Sequence, residues 1–163
     1  MATSEKNVQR AQELICLRCV PTIHQRFATG PVMGKWYAGF REKKFWGNKC
    51  NICGRTQIPP REICAECRVR VHKYSEVGPK GEICEMDVYL YASPDPLTGK
   101  IRETPYAQLY ILLDGASAGD TFCHRLKPED IPIAKIGDRV RAVWARETSG
   151  EFADLLYFEL DRE

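Results

Sequence analysis

The chain has 163 residues, 44% of them hydrophobic and 28% charged, with eight cysteines and a formal net charge of +2. That length holds one ordinary domain or two small ones, and the composition excludes collagen-like and disordered chains. No apolar run approaches a membrane span and no signal-peptide core follows the first basic residue, so a cytoplasmic protein with reduced thiols is expected. The modest net charge hides an asymmetry. Residues 1–49 carry nine Lys/Arg against three Asp/Glu, +6, whereas residues 68–163 carry thirteen against seventeen, −4. A basic front third suits phosphates, an acidic partner or a solvated helical face. An acidic remainder argues against a chain built to track a nucleic-acid backbone.

In chain order, residues 4–19 read as a helix, because Val8, Ala11, Ile15 and Cys19 recur at 3–4–4 spacing and Pro21 follows. "TGPVMG" (29–34) reads as a break. "KWYAGFREKKFW" (35–46) reads as a second short helix, with Trp36 and Phe40 four apart on one face and basic residues on the other. The cysteine segment follows, and from about residue 70 the period becomes two. "EICEMDVYLY" (82–91) is a strand expected to turn Cys84, Met86, Val88 and Leu90 to one face. "YAQLYILL" (106–113), "DTFCHRL" (120–126), "RVRAVWARE" (139–147) and "DLLYFEL" (154–160) complete a set of five. A turn-rich loop over 93–100 and a crossover over 127–138 join them. The predicted fold is mainly β, with N-terminal helices, a rubredoxin-like zinc ribbon and a C-terminal five-stranded OB-type barrel. A small open sandwich is the rival, and closure is favoured because a lone open sheet leaves two edges and an exposed apolar face. The expected units are a helical arm (1–47), the ribbon (48–72) and the barrel (73–163).

The chemistry-bearing motif is "KCNICGRTQIPPREICAEC" (49–67). Each Cys-x-x-Cys places two sulfurs on one tight turn, and two such turns facing each other complete a tetrahedron that suits zinc. Cys50, Cys53, Cys64 and Cys67 are therefore the expected metal ligands, for one structural zinc per chain; a rubredoxin-like iron would use the same set. Gly54 stands where a positive φ turns amides back toward the sulfurs. Four thiolates leave no place for water or substrate, so this site is not expected to catalyse a reaction. The upstream pair Cys16 and Cys19 has no obvious partners. Cys19 falls on the apolar stripe of its helix and is expected to pack as a small hydrophobe. Cys123 and His124 are adjacent in a predicted strand and point to opposite faces, so they form no catalytic dyad. No phosphate loop, nucleophile elbow or carboxylate pair is present, so no catalytic residue is expected.

The order of "KWYAGFREKKFWGNKC", the two cysteine pairs flanking "IPPRE", "TPYAQLYILLDG" and "KIGDRVRAVW" resembles the acyl-CoA-associated family that joins a rubredoxin-like zinc ribbon to an OB fold. The resemblance covers most of the chain. It implies a non-catalytic accessory subunit of a hetero-oligomer, whose thiolase-fold partner carries the chemistry, and a coenzyme A thioester at the partner interface. Cofactor-binding residues stay unassigned. Two departures from the family pattern are the "ICLRC" extension and "LLDGASAGDTF", which lacks paired glycines. Trp36, Phe40 and Trp46 are the expected partner anchors, since aromatics are enriched in interface hot spots; packing of the helix onto the ribbon is the alternative. The rival function is a single-stranded nucleic-acid module, with Tyr89, Tyr91, Tyr106 and Tyr110 as stacking rings.

Overall fold

A computed structural model describes residues 28–95 and 98–162. The helix expected over 4–19, and with it Cys16 and Cys19, lies outside the described residues. The first element is helix α1 (Gly30–Arg41). The segment read above as a break is its start. Pro31 sits in the first turn, where backbone N–H groups have no intrahelical partner to lose. The helix also stops earlier than expected. Lys43 adopts φ 58°, and the Lys44 N–H turns back to the Gly39 carbonyl at 2.9 Å.

Strand β1 (Phe45–Lys49) follows at once and is the middle of a three-stranded antiparallel sheet ordered β2–β1–β3, with β2 (Thr56–Gln57) and β3 (Lys73–Val77). Trp46 is thus a strand residue, not a helical one. Helix α1 rests on this sheet through Gly39. A Cβ there would fall 2.8 Å from the Lys44 carbonyl oxygen and 2.5 Å from Cδ1 of Trp46, so only glycine allows the approach.

The second sheet has five antiparallel strands ordered β6–β5–β4–β7–β8. They are β4 (Lys80–Tyr89), β5 (Tyr106–Leu113), β6 (Phe122–Arg125), β7 (Arg139–Trp144) and β8 (Leu155–Leu160). A parallel bridge between Leu126 and Phe158, with the Lys127 N–H on the Phe158 carbonyl at 2.8 Å, joins the β6 side to β8. The sheet therefore closes on itself, and the barrel rather than the open sandwich is the observed form. Strand β5 alternates as its sequence does, with Ala107, Leu109, Ile111 and Leu113 wholly buried.

Strand β4 departs from its expected parity. Ile83 pairs with Ile111 and Glu85 with Tyr110, which leaves Cys84 as the extra residue of a β-bulge. The bulge puts Ile83 in the core and Met86 against it, while Cys84 is only half-buried. Val88 and Leu90, expected on one face with Met86, are 43% and 79% exposed.

One apolar core serves helix, small sheet and barrel. Trp36 and Phe40 from α1, Phe45 from β1, Phe122 from β6 and Phe158 from β8 belong to a single buried cluster. Phe45 is its hub, with ring centroids 4.9 Å from Trp144, 5.6 Å from Phe122 and 5.7 Å from Trp36.

Candidate metal centre

The two cysteine knuckles flank β2. In the first, the Gly54 N–H returns to the Cys50 carbonyl at 3.0 Å, and Gly54 takes φ 74°. The second repeats the geometry with a non-glycine residue: the Arg68 N–H meets the Cys64 carbonyl at 3.0 Å, at φ 58°. Left-handed backbone in a side-chain-bearing residue is uncommon, and here the knuckle imposes it. Backbone amides aim at the sulfurs: Ile52 N–H at Cys50 Sγ (3.4 Å) and Cys67 N–H at Cys64 Sγ (3.5 Å).

The sulfurs of Cys50, Cys53, Cys64 and Cys67 all lie within 4.8 Å of one another, and Cys53 and Cys64 are 3.7 Å apart. Tetrahedral zinc, with Zn–S of about 2.3 Å, requires sulfurs about 3.8 Å apart. The donor set therefore fits a structural metal ion such as zinc. Charge supports the same reading. The N–H groups of Cys53 and Ile52 draw the Cys50 thiol down to about 7. Hydrogen bonding to Cys53, then burial and the charges of Cys53 and Cys50, push Cys67 up to about 12. Four thiolates this close repel one another, and a divalent cation would supply the compensation.

Two residues that the sequence did not mark hold the loop between the knuckles. Asn48 and Gln57 are wholly buried. Asn48 accepts from the Arg61 N–H at 3.2 Å and donates its amide to the Arg61 carbonyl; Gln57 Oε1 accepts from the Ala65 N–H at 2.8 Å. Isolated amides carry no sequence signature of burial. Beyond the knuckles, the Thr56 N–H donates to Ser117 Oγ at 2.9 Å and the Ser117 N–H to the Thr56 carbonyl at 3.0 Å. Arg55 pairs with the buried carboxylate of Asp120 at 2.6 Å. The ribbon is thus fastened to the β5–β6 loop of the barrel.

Among the expected anchors, Trp36 and Phe40 are core residues, 1% and 0% exposed, whose rings are occupied within this chain. Trp46 is half-buried, with the Lys35 ammonium 4.2 Å over its ring. Cys123 and His124 form no pair: Gln108 donates to the Cys123 sulfur, while His124 Nε2–H donates to the Leu155 carbonyl. Tyr89 and Tyr106 stack on each other at 4.8 Å. No described helix is long and apolar enough to cross a membrane.

These features define a class of architecture, a four-cysteine ribbon fused through a shared core to an OB-type barrel. No protein-family model and no curated protein matches the sequence. Solved structures match the fold. A protein of unknown function from the DUF35 family of Sulfolobus solfataricus superposes with a TM-score of 0.60 at 19% identity, over 81% of this chain and 87% of that one. The Ltp2–ChsH2(DUF35) aldolase gives a TM-score of 0.60 at 18% identity, over 83% of this chain and 98% of that one. At these identities the likeness is one of fold.

Proposed function

We propose that the chain is a non-catalytic zinc-ribbon/OB-fold subunit of a thiolase-type acyl-CoA-processing complex. In this reading a thiolase-fold partner carries the carbon–carbon bond chemistry, and this chain supports assembly and helps hold the CoA thioester in the cytoplasm. The observation that carries it is a four-sulfur site with no open coordination position, set beside an OB-type barrel in the same fold as a DUF35 chain of an aldolase. Zinc, one per chain, would stiffen the ribbon and take no part in the reaction. Residues 1–47, 48–72 and 73–163 are proposed as arm, ribbon and barrel, and the +6 front third as the surface that meets the partner or the CoA phosphates. Trp36 and Phe40 would act indirectly, by seating α1 against the core.

The test is expression together with the genes that neighbour it. The expected result is co-elution of a thiolase-fold chain, with thioester turnover by the complex and none by this chain alone. Benzoylsuccinyl-CoA among the thioesters would decide the narrower reading, a small subunit of a 2-benzoylsuccinyl-CoA thiolase. Tight, salt-dependent binding of single-stranded oligonucleotides without any protein partner would overturn the proposal.

A further inference from the structure

On the barrel wall, a cleft of about 520 Å³ opens between the β4–β5 connection, strands β5 and β6, and the segment that leads into β8. That volume falls in the range of small-molecule sites, and OB barrels bind ligands on this face and with these loops. Its two ends differ in character. At one end stand Arg102 and Arg125; at the other, Phe152 and Leu156, each 47% exposed.

Among the described residues no carboxylate forms an ion pair with Arg102 or Arg125. Arg102 lies 4.9 Å over the ring of Tyr106, a contact that positions a guanidinium without cancelling its charge. In the strand register Arg125 stands beside Gln108, and Gln108 beside Asp87. The acid of that row is therefore two strands away, about 10 Å. Packing around Arg125 and the Arg102 charge both disfavour its charged form, and an incoming anion would relieve both.

The apolar end is built in advance. The carboxylate of Asp154 accepts the N–H groups of Ser149, Gly150 and Glu151 at 3.0, 2.6 and 2.9 Å. Thr148 Oγ1 donates to the Arg41 carbonyl, and Arg41 Nε to the Ser149 carbonyl, so the segment is also tied to α1. Phe152 is held edge-on to His124, with ring centroids 5.3 Å apart. A wall fixed before binding spares the ligand the ordering cost.

We propose that this cleft is a binding site for a small amphipathic oxyanion, a carboxylate or phosphate monoester on an apolar body, with Arg102 and Arg125 on the oxyanion and Phe152 and Leu156 on the body. The site requires no partner chain, so it stands or falls separately from the proposed complex. The acidic residues Glu85 and Asp87 share the outer face of β4 with Tyr89 and oppose a long polyanion, which favours a compact ligand over a nucleic-acid strand.

The whole chain, metal-loaded, is titrated with octanoate, octyl phosphate, octanol and an oligo-dT strand, and binding is read by calorimetry. Protection of the half-buried Cys123 from alkylation, mapped by mass spectrometry, locates the ligand in the cleft. Both octyl anions are expected to bind and to protect Cys123, the tighter one identifying the source of the oxyanion, and octanol is expected to bind at least about tenfold more weakly. Arg125→Gln and Arg102→Gln should each weaken the anions about tenfold or more, the loss of one charge-assisted contact. Arg139→Gln, on the Asp114 pair elsewhere on the barrel, should change nothing. Octanol binding as tightly as the anions, anion affinity untouched by both cleft substitutions, or oligo-dT competing the anions off at lower concentration would each overturn the proposal.

Discussion

Phe45 is wholly buried, and its ring meets aromatic rings from the helix, β6, β7 and β8. Truncation removes both the burial and a space that four elements cannot jointly refill. Phe45→Ala should therefore cost about 3–5 kcal/mol, read as a lower urea midpoint. A cost below about 1 kcal/mol would mean the core is not shared in this way. His124 makes a different prediction. Burial, and secondarily the Arg125 cation, hold its pKa below the usual value despite the bond to the Leu155 carbonyl. The unfolded chain takes up a proton near pH 6.5 that the folded chain refuses. Stability from this group is thus fully present above about pH 6.5 and declines as pH falls below it, because the unfolded state then binds more protons. His124→Gln should flatten the dependence of Tm on pH in that window; an unchanged slope would exclude His124 as its source.

At the scale of elements, the cysteine ribbon was legible in the sequence because its geometry is local. Two residues between the cysteines of each pair are enough to point the sulfurs, with Gly54 as a turn signal after the first pair only. Strand β5 was equally legible, its alternation running unbroken over Tyr106–Leu113. Strand β4 was less so, because the extra residue at Cys84 brings Ile83 to the same face as Met86, and nothing nearby signals that switch of parity. Pro31 misled for a related reason: the same ring breaks a helix interior and begins a helix well. The arginine cleft was invisible for want of locality, since its groups come from segments 20 or more residues apart. For the ribbon, one zinc per chain is expected by metal analysis, falling to none in Cys64→Ser, whereas Cys123→Ser should retain it. Two zinc ions per chain would instead recruit Cys16 and Cys19.

For the molecule as a whole, the helix, the small sheet and the barrel share one large core, and only a small cluster of Cys50, Cys64 and Val71 at the knuckles stands apart from it. Strand β3 ends at Val77 and β4 begins at Lys80, so the two sheets are also joined by a short link. Unfolding should follow one transition by tryptophan fluorescence and by far-UV circular dichroism, with coincident midpoints. Separated midpoints would show that ribbon and barrel unfold independently. The stitches between Thr56 and Ser117, and between Arg55 and Asp120, add something further. They tie the β5–β6 loop to the segment whose four cysteines would hold the metal ion. Stripping that ion with a chelator should quicken amide hydrogen exchange at residues 115–120 in step with residues 50–70, which makes a loop of the barrel a distant gauge of how much of the protein is loaded.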